Sequence, residues 1–314
     1  MPLMHIDSSR FHRIKRISSP GGDNGALNAG IYLVRSVSSG NLYVEKRIRG
    51  RDINSGHAAR ETRALKACLS CPNIVDIIGV DSYIGSIYMS YCDQGALDGV
   101  IEQYRSRRKD IPEDFLWRVF LDISLALCYL LHGVNLDASD LDRGRPGRVE
   151  EDWNVIHHRD IKPGNIFLSA EPGRTYPRAV LGDFGCSLML WDVGPHGTRC
   201  LTSRQAPAFA PPESPGYSNG GDVYQLGLVM HCLARLTQVP DYDTAFLRAR
   251  PVPSREYSDR LACVVKGCLK RRPEERMRAG DLPIWVYEQR NRWRMGNGGR
   301  VRNPLPGWAT EGRR

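Results

Sequence analysis

Residues 156–168 read IHHRDIKPGNIFL and bring Asp160, Lys162 and Asn165 into one short segment. An ordinary surface loop has no need of that spacing. Chemistry on a polyphosphate, with a metal ion and a hydroxyl nucleophile, does need it, because a base, a cation and an amide oxygen must then lie close together.

The rest of the chain supplies companions in a fixed order. Residues 43–46 read YVEK and end in Lys46, and residues 181–185 read LGDFG and carry Asp183. In RETRALKACLSCPNIV, 60–75, Glu61 precedes Leu65 by four residues, so both fall on one helix face. APAFAPPE, 206–213, ends in Glu213; DVYQLG, 222–227, opens on Asp222; RRPEER, 271–276, ends in Arg276.

A strand lysine, a helix glutamate, HRDxxxxN, DFG and an APE-like triplet in this order resemble the eukaryotic protein kinases. The resemblance covers about residues 11–289. HRDIKPGNIFL, LGDFG and CPNIV are most similar to the NIMA-related branch, and the lysine in DIKPGN resembles the serine/threonine type.

The implied fold is α+β and two-lobed. An N-lobe of about 11–92 would hold a small antiparallel sheet with one helix, near 55–69. A C-lobe of about 93–289 would be mainly helical. Leu116, Val119, Phe120, Ile123, Leu127, Leu130 and Leu131 give the C-lobe one long amphipathic helix behind a candidate N-cap, Asp114. The Gly-, Asp- and Arg-rich stretch 133–153 reads as an exposed insertion, and 290–314 as an extended basic tail.

The resemblance implies roles residue by residue. Asp160 would take the proton of the substrate hydroxyl, and Lys162 would neutralise the transferred phosphate. Lys46, oriented by Glu61, would hold the α- and β-phosphates of ATP, and Asn165 and Asp183 would offer oxygen ligands to Mg²⁺. Gly25, Ile31, Met89, Ser90 and Cys92 would surround the nucleotide. His158, Phe184 and Leu65 read as an inter-lobe stack, Asp222 as the anchor of the catalytic loop, and Arg276 as the partner of Glu213.

Protein substrates bearing Ser or Thr follow, together with activation by an upstream kinase or by autophosphorylation. Arg159 beside the catalytic aspartate points to a phosphate at Thr202, with Ser203 and Thr198 as neighbours.

Two departures support a second reading, a weakly active or inactive pseudokinase serving as a protein-binding scaffold. Counting back from Ile31 puts Asn24, Ala26 and Ala29 at the three positions of the glycine motif, and Ala206 stands where a threonine would orient Asp160.

Composition bounds the remainder. With 314 residues, 41% hydrophobic and 25% charged, the chain is globular. No signal-peptide run opens it and no stretch suits a bilayer, so a soluble protein of the cytoplasm or nucleus is expected, without a membrane partner. Nine cysteines at irregular spacing imply thiols, most of them buried, and the Cys68–Cys71 pair lacks the second pair of a zinc site. The net charge is +9 and seven arginines lie in 290–314, but no nucleic-acid-binding module accompanies them, and nucleic acid is not the expected partner.

Overall fold

The computed structural model describes residues 4–18, 28–54, 56–146, 149–192, 206–214, 216, 218–297 and 304–310. The N-terminal part holds β1 (Met4–His5), β2 (Phe11–Ser18), β3 (Asn28–Ser36), β4 (Leu42–Ile48), α1 (Gly50–Asn54), α2 (His57–Ala67), β5 (Ile77–Asp81) and β6 (Ser86–Ser90). The C-terminal part holds α3 (Leu97–Ser106), α4 (Glu113–His132), α5 (Ala138–Asp142), β7 (Ile156–His157), β8 (Ile166–Ser169), β9 (Arg178–Leu181), β10 (Leu188–Met189), α6 (Gly221–Arg235), α7 (Thr244–Ala249), α8 (Asp259–Cys268) and α9 (Leu282–Gly296). A small sheet lobe is followed by a larger helical lobe.

The sheet order is β1-β5-β6-β4-β3-β2, antiparallel except for the parallel β1–β5 pair. Ile31, Lys46 and Ile87 are cross-strand partners, as are Leu33, Val44 and Met89. Partners share a face, and residues two apart on a strand share it as well. Lys46, Ile31 and Met89 therefore point to the same side, the side that meets the helical lobe. On the opposite face Glu45 accepts from Arg13, Arg47 and Ser86, and Ile6, Val34 and Tyr88 form a second, small core. Ile6 and β1 lie ahead of residue 11, so the sheet begins earlier than expected.

The single N-lobe helix is in fact two, broken at Gly56, whose φ of +76° suits glycine. The long helix α4 is buried on nearly every side, because α6, α9 and β9 all pack on it. It starts at Glu113 after Pro112, and Asp114 is not its cap. Instead Asp114 is buried and pairs with Arg290 of α9 at 3.3 Å. Among the described residues α4 is also the helix long and apolar enough to cross a membrane, but 78% of that window is buried inside the protein.

The stretch 133–153 is mostly exposed, as expected, but it is not a free loop. Asp137 and Asp140 form a capping box on α5, Leu141 is buried, and the Tyr287 hydroxyl donates to Asp142 at 2.6 Å. At its far end Trp153 donates from Nε1 to the Leu130 carbonyl at 3.0 Å and meets the Tyr129 ring edge-on at 5.3 Å. Nor is the tail extended from 290. Trp293 is buried and Arg290 is held by Asp114, so α9 runs on to Gly296, and residues 304–310 form a further docked turn. Cys68 and Cys71 are buried thiols at the end of α2, and among the described residues no three His, Cys, Asp or Glu gather as a metal site.

Gly133 closes α4 in the left-handed region at φ +76°, and a Cβ there would stand 2.6 Å from the Trp153 ring. Gly133→Ala should destabilise the fold by about 2–4 kcal/mol, from left-handed strain plus overpacking. Urea denaturation measures it, and an unchanged midpoint would contradict this packing.

Candidate active site

The catalytic segment is built from the helical lobe. His158 and Arg159 donate their backbone N–H groups to Asp222 Oδ2 and Oδ1 at 2.7 and 2.8 Å. One turn further along α6, Gln225 accepts from the Ile161 N–H at 3.0 Å and donates to the Arg159 and Phe209 carbonyls at 3.1 Å each. These bonds hold Arg159 at φ +72°, a conformation that a non-glycine residue keeps only when its surroundings impose it. Gln225 is absent from the sequence reading, although its i, i+3 spacing from Asp222 was a usable signal.

That anchoring fixes the functional side chains. Asp160 Oδ2 accepts from Lys162 Nζ at 2.9 Å and from Asn165 Nδ2 at 3.0 Å, and Asn165 also donates to the Asp160 carbonyl at 2.7 Å. Asp160 Oδ1 accepts from the backbone N–H of Ala206 at 2.9 Å. Although position 206 lacks a hydroxyl, its main-chain N–H reaches Asp160, which is held on both oxygens.

The sheet lobe brings Lys46. Its Nζ lies 2.6 Å from Glu61 Oε1 on α2 and 2.7 Å from Asp183 Oδ1, all three side chains being buried or nearly so. Burial works against the Lys46 charge, but Asp183 and Glu61 outweigh it and hold the ammonium well above its usual range. Burial likewise opposes the Asp183 carboxylate, yet Lys46 keeps it below the ordinary carboxylate value. Glu61, the second acid on one cation, is pushed up by burial and further by Asp183.

Between these groups runs the apolar stack. His158 meets Phe184 edge-on at 4.7 Å, and Leu65 and Phe184 are both buried. The Asp160 N–H donates to His158 Nδ1, which leaves Nε2 to donate to the Gly182 carbonyl at 3.0 Å. Burial pushes the imidazole down, as this neutral form requires.

Met89 is buried near the end of β6, on the sheet face that carries Lys46. The Ser90 N–H is spent on the Asp76 carbonyl at 2.9 Å, so Ser90 can offer a nucleotide only its own carbonyl. Cys92 is half-buried against the core, and burial pushes its thiol up to about 12. Gly25, Asn24 and Ala26 lie outside the described residues. Ser18 pairs with Ile31, so residues 19–30 intervene, more than the glycine motif spans. Of the three positions counted back from Ile31, Ala29 is the described one and lies within β3. The position in that strand that requires glycine is Gly30, at φ +140° with the Tyr32 hydroxyl 2.9 Å from where a Cβ would be.

The donors suit Mg²⁺ arriving with a nucleotide. Asn165 spends its amide nitrogen on Asp160, which leaves its oxygen, and Lys46 takes one oxygen of Asp183, which leaves the other. One carboxylate and one amide oxygen, completed by phosphates and water, is how Mg²⁺ is commonly held. Further down, Arg276 grips Glu213 with both terminal nitrogens at 2.8 and 2.7 Å. The structure thus groups Lys46, Glu61 and Asp183 on one side and Asp160, Lys162 and Asn165 on the other, with Ile31 and Met89 on the sheet face of Lys46 and with Ser90 and Cys92 just after Met89 in the chain.

The family described as protein kinase domain matches residues 25–283. The G2-specific protein kinase fin1 of Schizosaccharomyces pombe is 29% identical over 260 residues, 76% of this chain and 34% of its own length. The G2-specific protein kinase nimA of Emericella nidulans is 27% identical over 209 residues, 60% of this chain and 28% of its own. The serine/threonine-protein kinase Nek4 of Mus musculus is 28% identical over 264 residues, 78% of this chain and 29% of its own. The chain spans about a third of the length of these relatives.

The raised Glu61 has a consequence for stability. Above its ordinary value of 4.5 the folded state holds a proton that the unfolded chain releases, so Glu61 makes unfolding easier as pH rises. Glu61→Gln should remove that slope. The stability of wild type relative to the variant is expected to fall as pH climbs from 4.5, read by urea denaturation across pH, and a flat difference would contradict it.

Proposed function

The chain belongs to the protein kinase domain family, and from that premise we propose that it is a serine/threonine protein kinase, moving the γ-phosphoryl group of ATP to Ser or Thr hydroxyls of protein substrates. The observation that carries the reading is the joint assembly of Lys46–Glu61–Asp183 with Asp160–Lys162–Asn165. Its relatives fin1, nimA and Nek4 support the NIMA-related branch. The family match and the kinase relatives favour this reading over a scaffold, and the Ala206 amide gives Asp160 a donor.

Each residue then has a task. Asp160, held on both oxygens, accepts the substrate hydroxyl's hydrogen bond and takes its proton. Lys162 stands 2.9 Å from Asp160 and sets a cation where charge gathers on the transferred group. Lys46 is kept charged and pointed into the cleft by Glu61, and Asn165 and Asp183 would hold Mg²⁺. The bound ATP and Mg²⁺ supply the phosphoryl group and the charge that offsets its oxygens. Ile31 and Met89 line the nucleotide's apolar side, and Ser90 and Cys92 offer it main-chain groups.

The two aspartates should separate in mutants. Asp160→Asn is expected to keep Mg·ATP binding while turnover falls by about 100-fold or more, the scale of general-base catalysis. Asp183→Asn should lose Mg·ATP binding itself. Thermal-shift titration with Mg·ATP beside a phosphoryl-transfer assay tests this, and equal loss of binding in both variants would overturn the roles.

Regulation follows from charge. Burial, with the cation of Arg60 on α2 adding a little to it, pushes Arg159 down to about 10, and Arg159 Nη1 donates to the Cys186 carbonyl at 3.2 Å, at the start of the segment that follows DFG. A phosphate brings nearly two negative charges to such a place. Thr202, Ser203 and Thr198 lie outside the described residues, and Thr202 is the acceptor we propose, for an upstream kinase or the protein itself. Activity of a Thr202→Ala, Ser203→Ala variant should fall by about tenfold, the scale of 1–3 kcal/mol of switching energy. Full activity, with no phosphate elsewhere in that segment by mass spectrometry, would sink the idea.

A further inference from the structure

The family match ends at residue 283 and α9 closes at Gly296, yet residues 304–310 are seated on the catalytic domain. Pro306 leads into a short turn, Gly307–Ala309, in which Ala309 is buried and Leu305 and Trp308 pack against the main core. The indole of Trp308 lies 4.9 Å from the ring of Tyr104 on α3, the two planes tilted by 59°. Arg107 stands 4.5 Å and Lys109 5.6 Å from the same indole. A tryptophan held between a buried tyrosine and two cations is a built contact, because each partner adds quadrupole or cation–π attraction to the burial.

The seat is connected to the active site at its other end. Helix α3 has only ten residues, too few to hold itself, so its position depends on what packs against it. Its C-terminal end is covered by the Trp308 turn. At its N-terminal end Asp98 Oδ2 stands 3.5 Å from where a Cβ on Gly164 would be, between Lys162 and Asn165, and the Asp98 carbonyl accepts from Gln238 at 3.0 Å. The segment just before α3 is pinned to β8, with the Gln94 N–H donating to Leu168 at 2.9 Å and Leu168 donating to the Gly95 carbonyl at 2.8 Å. The strand connection that carries Ser90 and Cys92 therefore leads straight into a helix whose far end the tail covers.

We propose that residues 304–310 are a cis-acting clamp and that Trp308 is a positioning residue, which sets α3 and through it the nucleotide-side connection and the edge of the catalytic loop. Its effect falls on the binding of nucleotide and substrate peptide, and Asp160 is left as it is. The kinetic part of this rests on the kinase reading above; the structural part does not.

Hydrogen exchange and kinetics on the full chain test both parts. In Trp308→Ala the amides of 97–106 should exchange about tenfold faster, a local opening that leaves the rest of the lobe protected. In the same variant KM for ATP and peptide should rise about three- to tenfold with kcat within about twofold, the pattern of lost ground-state binding. Trp308→Phe keeps a ring against Tyr104 and should stay near wild type in both measurements. Arg107→Ala removes one cation and leaves the core intact, so it should show a smaller change in the same direction, which decides the matter if Trp308→Ala unfolds. Unchanged exchange in α3 for Trp308→Ala, or a fall in kcat at constant KM, would overturn the clamp. If wild type transfers no phosphate, the kinase reading fails while the exchange data still decide the clamp.

Discussion

A single buried cation ties the two lobes together. Lys46 belongs to the sheet, Glu61 to α2, and Asp183 to the loop that follows β9, and the lysine bonds both acids. Such a set is no aid to stability, because desolvating three charges costs several kcal/mol per ion, and apolar residues of similar volume often serve as well or better. What it supplies is position. With Glu61 drawn to Lys46, α2 packs on the turn that begins at Phe184, Leu65 and Phe184 share one buried core, and Phe184 meets His158. His158 is in turn fixed by Asp222 of α6, so the registration of the sheet is passed to the core of the helical lobe.

The polar site was readable from sequence because each of its members lies in a short string with fixed internal spacing. Asp160, Lys162 and Asn165 come from one turn of chain, and Glu61 from a helix whose face is set by Leu65. Groups that meet across the fold were less legible. Nothing local marks Asp114 as the partner of Arg290, or Tyr287 as the partner of Asp142, since those contacts depend on how α9 packs against α4 and α5. The contacts that hold 133–153 and the tail escape composition for the same reason. Both stretches are polar in composition, and both are held by one or two aromatic anchors, Trp153 in the first and Trp293 and Trp308 in the second, that composition averages away.

Main-chain donors are the other part that residue names conceal. A motif records side chains, so alanine at 206 looks like a lost hydroxyl, yet the amide of that same residue reaches Asp160 at 2.9 Å. An amide depends on the path of the backbone, and that path is set here by neighbours such as Gln225, which binds the Phe209 carbonyl, and by Arg276, which grips Glu213. A substitution that leaves those bonds intact leaves the donor in place. At the other edge of the cleft, β3 demands glycine at Gly30, a demand fixed by strand pairing and the Tyr32 ring. At position 206, then, the departure from the side-chain motif leaves a main-chain donor that reaches Asp160.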